Sequence, residues 1–231
     1  MKIHILPLQE GARSAAGCAV VIDVFRAFST ACYAAHGGAD PIIPVADLET
    51  AYALKREQPD AILMGERAGR PPPGFDFGNS PTHIRDVDLA GRTVIHTTSN
   101  GTLGLVAAVM SPRTSAVLTG SFVNAGAIVD FIQAGKFEAV SLVPVGRGGK
   151  HAEEDDLCAA FLRDRLLGKD PDFAPIRATL ANSRRADRFF DPDRLHAPAT
   201  DFDLCLSPDR FDFILRATPG TDGEIRLRRV G

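Results

Sequence analysis

The sequence predicts an α/β fold: a largely parallel or mixed sheet with helices on both faces, in three layers. Two observations carry that prediction. Short Val/Ile/Leu runs such as CAVVIDV (18–24) and EAVSLVPVG (138–146) lack the polar alternation of a half-exposed strand, and continuous apolar runs suit strands buried on both faces. Segments of helical pattern stand between them, as in βαβ units. A third observation sets the scale: 231 residues, 45% of them hydrophobic, can bury one substantial core.

From the N-terminus, CAVVIDV (18–24) is a strand and STACYAAHGG (29–38) a helix ending at glycine. DPIIPV (40–45) is a strand, and DLETAYALKREQ (47–58) is a helix with Asp47 as its N-cap. AILMGE (61–66) and RTVIHTT (92–98) are strands, and GTLGLVAAVM (101–110) is a helix. SAVLTG (115–120) is a strand, NAGAIVDFIQAG (124–135) a helix and EAVSLVPVG (138–146) a strand. EEDDLCAAFLRDRLLG (153–168) is the best amphipathic helix. Residues 170–231, rich in Asp, Arg and Pro, are less regular, with a closing strand near 224–229. The whole reads as one domain, 1–231, with a lobe boundary, if there are two similar lobes, near 83–92. A short internal echo fits either two lobes or no more than shared βα-loop chemistry: VVIDVFRAFST (20–30) and TVIHTTSNGT (93–102) each run from strand through a polar loop to a hydroxyl-capped helix.

Composition narrows the function classes. Net charge is −3 and the arginines are spread along the chain, so no basic stripe invites nucleic acid. No window approaches the ~20 apolar residues that span a membrane. The start, MKIHILPLQEG, lacks the apolar run of a signal peptide. Cys18, Cys32, Cys158 and Cys205 show no close spacing and read as reduced, buried thiols of a cytoplasmic protein. A homo-oligomer is compatible with all of this.

In open α/β sheets ligands bind at the carboxyl ends of the strands. The polar residues just after the apolar runs are Asp23, Arg26, Ser29 and Thr30; then Glu66 and Arg67; then Thr97, Thr98, Ser99, Asn100, Gly101 and Thr102; then Ser121 and Asn124; then Arg147 and the acids 153–156. A parallel sheet places all five groups on one edge. Asp23 within an apolar run is costly to bury unpaired; a salt bridge to Arg26 or a role in a site accounts for it. TTSNGT offers hydroxyls and backbone N–H groups at a helix N-terminus, an anion site, or simply a cap and turn. Neither it nor GRGGK (146–150) is a Walker motif. Four acids opening a helix complement its dipole but repel one another. A divalent cation offsets that repulsion, and oxygen-only ligands point to Mg²⁺ rather than Zn²⁺.

The segment MGERAGRPPPGFDFGNSPTH (64–83) is too long and irregular for an ordinary connection. Phe75 and Phe77 can anchor it, and the proline run 71–73 stiffens it. It reads as an ordered loop crossing the strand ends, bringing Glu66, Arg67, Asp76 and Asn79 to the site and helping to exclude water.

The blocks VVIDVFRAFST, GERAGRPPPGFDFGNSP, TTSNGT and EEDDLCA, in that order over 18–162, resemble the 2-phosphosulfolactate phosphatase family. That resemblance implies a Mg²⁺-dependent phosphatase acting on a small phosphorylated hydroxy acid. Phe25 and Phe28 stand where a smaller or aliphatic residue is expected, and Ser99 where Thr is, which leaves the substrate open. NSRR (182–185) falls where the family has a further polar segment. On this reading Asp23, Arg26, Glu66, Arg67 and Asp155 are catalytic. Asp23, Glu66, Glu154 and Asp155 hold Mg²⁺ directly or through water. Ser29, Thr30, Asn79, Ser80, Thr97, Thr98, Asn100, Gly101, Thr102, Ser121, Asn124 and Arg147 bind substrate. Three rivals stay open: a non-catalytic anion- or sugar-phosphate-binding domain, a thiol hydrolase using Cys158, and a subunit that keeps the fold without the activity.

Overall fold

The computed structural model describes residues 1–220 and 223–231. Its strands are β1 (Lys2–Ile5), β2 (Gly17–Ile22), β3 (Ile42–Val45), β4 (Ile62–Gly65), β5 (Val94–Thr97), β6 (Thr114–Gly120), β7 (Ala139–Pro144), β8 (Ile214–Pro219) and β9 (Ile225–Val230). Its helices are α1 (Leu8–Ser14), α2 (Ala27–His36), α3 (Leu48–Glu57), α4 (Pro81–Ile84), α5 (Gly101–Val109), α6 (Ala125–Gly135), α7 (Glu153–Leu166), α8 (Ala174–Ala181), α9 (Asp187–Phe190) and α10 (Ala199–Cys205). The elements expected over 18–168 all form. Asp47 caps α3 as its sequence implies, its carboxylate accepting from Thr50 N at 2.8 Å. The elements with no clear sequence signal are β1, α1, β8 and the short helices α4 and α8–α10. Each is brief, and several carry mixed polar patterns, so contacts rather than periodicity define them.

All nine strands join one mixed sheet in the order β1-β7-β2-β6-β8-β9-β3-β5-β4. The β2 side chains are buried on both faces: Ala19 and Val21 pack into one core, with α1, α2 and α5, while Cys18, Val20 and Ile22 pack into another, with α6 and α7. That is the three-layer arrangement, and it is why the strand reads as an unbroken apolar run.

The sheet contains two parallel blocks. One is β1, β7, β2 and β6; the other is β3, β5 and β4; the antiparallel pair β8–β9 joins them. About the β8–β9 pair, β6 corresponds to β3, β2 to β5 and β7 to β4. The internal echo of the sequence falls on the matched strands β2 and β5. The segment 83–92 connects β4 to β5, within one block; the chain passes between blocks before β3 and again before β6.

This corrects the expectation that one parallel edge gathers the loops. The two blocks run in opposite directions across three antiparallel pairings, so a flat sheet would put their carboxyl ends on opposite edges. Nine strands twisting about 20–25° per step accumulate roughly half a turn, and the two sets of ends meet. Helices α2 and α5 fill the hollow between them, in a core shared by β2, β6 and β7 with β3, β4 and β5.

Candidate active site

A cavity of about 310 Å³ opens where the two sets of strand ends meet. Block one supplies Asp23, Phe25 and Arg26 after β2, and Gly146, Arg147 and Gly148 after β7. Block two supplies Glu66, Ala68 and Gly69 after β4, and Ser99 and Asn100 after β5. Asn79, Glu154, Asp155 and Arg188 complete the wall.

The approach is close. Helices α2 and α5 present their N-termini to each other, and a Cβ added to Gly101 would stand 2.7 Å from both Asp23 Oδ2 and Ala27 Cβ. Gly101 is therefore required for proximity, which the reading of it as a phosphate donor did not anticipate. Across the cavity Gly148 N donates to Asn100 Oδ1 at 3.0 Å.

Four carboxylates form one pole, and they differ in what holds them. Glu66 accepts from Gly69 N at 2.6 Å and Ser99 N at 2.7 Å. Burial pushes its pKa up, but these bonds outweigh that and hold it below its ordinary value. Asp155 accepts from Val24 N at 2.8 Å and Gly146 N at 3.1 Å. Complete burial, then Asp23 and Glu154 beside it, nevertheless raise its pKa well above the usual range. Asp23 is pushed up to about 7, by burial first, against the bond from Ala27 N, and then by Glu66 and Glu154. Glu154 Oε1 meets Arg185 Nη1 at 3.4 Å, and its buried Oε2 has no hydrogen-bond partner among the described residues.

Three guanidinium groups form the other pole. Arg26 is committed: its Nη1 donates to Asp201 Oδ2 at 2.5 Å and to His196 O at 2.7 Å. Asp201, wholly buried, also takes Ser80 Oγ, Thr82 N and Thr82 Oγ1 at 2.7–2.9 Å. The partner of Arg26 is thus Asp201 and not Asp23. Arg147 and Arg188 stand without a carboxylate salt bridge among the described residues.

Several expected site residues build the framework instead. Arg67 donates to Glu66 O, Ala46 O and Thr97 Oγ1 at 2.7–3.2 Å and does not line the cavity. Ser29 Oγ bonds Val24 O and Ser121 Oγ, at 2.8 and 2.6 Å, and Asn124 closes a capping box with Ser121. Thr98 and Thr102 bond each other reciprocally, each hydroxyl accepting from the other's backbone N–H. Thr30 is buried in α2. The Ser29, Thr98 and Thr102 hydroxyls suit these places because they tie backbone without carrying charge, while Thr30 Oγ1 has no partner among the described residues. The positions that do reach the cavity from the expected set are Asp23, Arg26, Glu66, Asn79, Asn100, Arg147, Glu154 and Asp155.

The long segment is ordered as expected. Phe77 packs on the core, Phe75 meets the Tyr52 ring edge-on at 5.8 Å, and Tyr52 Oη donates to Pro73 O. The loop pairs with the free edge of β4 through Met64 and Phe77, covering an otherwise sticky strand. Asp76 serves that pairing, accepting from Leu63 N at 2.8 Å, and does not enter the site. Asn79 does, and its buried Oδ1 has no partner among the described residues.

Cys158 is fully buried and burial raises its thiol well above the ordinary range, the opposite of an activated nucleophile. Sequence reasoning missed Arg188, Ala68 and Gly69, and it named Phe25 only as a departure bearing on the substrate. The turn glycines were visible in the GERAG (65–69) and GRGG (146–149) strings, but Arg188 sits in a segment with no usable periodicity.

The cavity's free oxygens test whether Mg²⁺ suits it. Among the described residues no three His, Cys, Asp or Glu side chains are placed to enclose a metal ion by themselves. Asp23 Oδ2 and Glu154 Oε2, however, receive no hydrogen bond among the described residues. Two carboxylates fit an ion that keeps several waters and usually takes one or two carboxylates directly.

A family model described as 2-phosphosulpholactate phosphatase matches residues 4–219. A probable 2-phosphosulfolactate phosphatase of Caldicellulosiruptor saccharolyticus is 39% identical over 158 residues, 67% of this chain and 64% of the relative. Proteins of the same name in Gloeobacter violaceus and Thermotoga petrophila are 37% identical over 172 residues and 35% over 173. Those alignments cover 74% and 75% of this chain, and 72% and 69% of the relatives. The chain thus spans about two thirds of the length of the curated relatives it matches. No helix among the described residues is long and apolar enough to cross a membrane.

Proposed function

The chain belongs to the 2-phosphosulpholactate phosphatase family, and on that premise we propose that it hydrolyses the phosphomonoester of a small anionic hydroxy acid, 2-phosphosulfolactate before others, with Mg²⁺ as cofactor. The observation that carries this reading is the composition of the cavity: the carboxylates Asp23 and Glu154, each with an oxygen that accepts no hydrogen bond among the described residues, share it with Arg147 and Arg188, which make no carboxylate salt bridge among those residues.

Asp23 and Glu154 would hold the cation through Oδ2 and Oε2. When bound, Mg²⁺ supplies charge neutralisation at the phosphoryl oxygens and lowers the pKa of water. Phosphoryl transfer demands little covalent work of the protein; positioning and charge stabilisation dominate. Arg147, which has no carboxylate salt bridge among the described residues, would hold phosphoryl oxygens, and the N-terminus of α5 at Asn100 and Gly101 adds oriented N–H dipoles. Glu66, kept ionised by two backbone donors, fixes the end of β5 against the turn after β4. Asp155 fixes the end of β2 against the turn after β7. Asn79 Oδ1 offers an acceptor for a hydroxyl. Phe25 and the 66–69 turn close the cavity and reduce its water.

The test is phosphate release from 2-phosphosulfolactate, phospholactate and phosphoglycerates, with Mg²⁺ and with EDTA. EDTA-sensitive release from one of these supports the reading. No release by folded protein with Mg²⁺ present replaces it with an anion-binding domain.

A further inference from the structure

We propose that Arg188 holds the second anionic group of the substrate, a carboxylate or sulfonate, and so sets the preference for phosphorylated acids over phosphorylated neutral alcohols. The identity of the substrate rests on the phosphatase reading; the site itself does not.

Arg188 comes from α9, in the irregular C-terminal third, yet its side chain lines the cavity. Two contacts orient it. Its Nη2 donates to Phe25 O at 3.1 Å, and its guanidinium lies 4.7 Å from the Phe189 ring centroid and 5.8 Å from that of Phe25. Neither contact neutralises its charge. Its Nε is buried without an acceptor among the described residues, and leaving a buried charged donor unmade is expensive. Burial, followed by Arg26 and Arg147 nearby, pulls its pKa down to about 10, still far above neutrality. The group is therefore a cation at working pH.

The surroundings identify what it takes. Of its cationic neighbours Arg26 already has Asp201 as counter-ion. Arg147 and Arg188 are left as the pair with no carboxylate salt bridge among the described residues. The acids Asp23 and Glu154 face Arg188 through the cavity without a salt bridge to it, and they are the cation's candidates. A phosphomonoester bound between the acids and Arg147 leaves Arg188 for a further anion on the same small molecule. A planar guanidinium fork matches the paired oxygens of carboxylate or sulfonate, and a neutral hydroxymethyl offers it no charge. Such a contact also removes the orphan at Nε.

Calorimetry with sulfolactate, which keeps both acid groups and lacks phosphate, tests the site without turnover. Arg188→Met should weaken its binding 10- to 100-fold, and Arg188→Lys should restore part of it; thermal melts of both variants establish folding. Lactate and isethionate, carrying carboxylate and sulfonate alone, show which group Arg188 holds, because only that ligand weakens in Arg188→Met. In turnover, the kcat/KM ratio of 2-phosphosulfolactate to ethyl phosphate should fall 10- to 100-fold, through KM. Unchanged sulfolactate binding in folded Arg188→Met, or no sulfolactate binding by the unaltered protein, overturns the inference. A protein that releases no phosphate yet loses sulfolactate binding in Arg188→Met overturns only the phosphatase reading.

Discussion

Two turns at the mouth of the cavity share a backbone and differ in what they do. Glu66-Arg67-Ala68-Gly69-Arg70 follows β4, and Gly146-Arg147-Gly148-Gly149-Lys150 follows β7. Each closes with paired backbone bonds between its arginine and the basic residue three positions on. Each has two successive central residues at positive φ, 52° and 85° in the first and 56° and 73° in the second, the geometry of a type I′ turn. Each is pinned by a carboxylate to the neighbouring strand end: Glu66 to the end of β5, Asp155 to the end of β2. Yet Arg67 spends its guanidinium on three protein oxygens, while Arg147 faces the cavity. The pinning acids diverge too, Glu66 held below its ordinary pKa and Asp155 raised far above. A repeated local motif thus settles backbone shape but not chemical role, which depends on the charges packed around each copy.

The largest effect should come from Asp23, the carboxylate both blocks approach. Asp23→Asn should lower turnover on the order of 10²–10³-fold or more, as loss of a principal charge contact does, and should raise the melting temperature of the metal-free protein by roughly 2–8 °C, the equivalent of about 1–2 kcal/mol. The pH dependence comes from the same shift. An acid with a folded pKa above its unfolded one binds its proton more tightly when folded, so that contribution is full below about 4 and is lost as pH rises to about 7. Metal-free protein should therefore melt progressively lower across that window. Mg²⁺ should stabilise it more at pH 8 than at pH 5, because the ion must displace the proton. A melt series with and without Mg²⁺ checks both signs, and an Asp23→Asn enzyme with near-normal turnover removes Asp23 from the site.

Next in size, Gly101→Ala forces a methyl against Asp23 Oδ2 and Ala27 Cβ and should cost at least 10-fold in activity, by the sensitivity of catalysis to ångström displacements. Steady-state kinetics on the folded variant decide it. The two pins should then separate. Glu66→Gln removes an ionised acceptor of two backbone bonds and should destabilise by about 1–3 kcal/mol. Asp155→Asn relieves crowding among acids and should destabilise metal-free protein less, or stabilise it. Equal losses in urea melts would erase the electrostatic distinction between the turns. The smallest effect is conformational. Gly148→Ala, whose methyl meets no atom of the other described residues within 4 Å, should cost about 1 kcal/mol for the left-handed backbone. Ala68→Gly should gain less than that, because glycine also loosens the unfolded chain.

Much of the fold was legible because buried parallel strands announce themselves. The apolar runs of β2 and β7 need no partner to be recognised, and Asp47 caps α3 with local atoms alone. The acids Asp23, Glu66, Glu154 and Asp155 were legible as candidates, since charged residues beside apolar runs must be either paired or used. Arg67 was misread because its neighbours in sequence, a glycine-rich loop and an acid, are those of a site residue; the Ala46 carbonyl and Thr97 hydroxyl that claim it lie elsewhere in the chain. Arg188 had no such signal, its cavity position depending on Phe25 and Phe189.

The sequence by itself determined the alternation of strands and helices, the candidate acids, the ordered proline-rich loop and the family likeness. Each depends on local propensity, burial pattern or short-range spacing. The tertiary structure decided the reversal between the two strand blocks, the meeting of α2 and α5 at Gly101, and the division of arginines and carboxylates between framework and cavity. Those outcomes depend on strand pairings between residues far apart in the chain. They depend also on desolvation, which gives a charge its cost only after distant segments have closed around it.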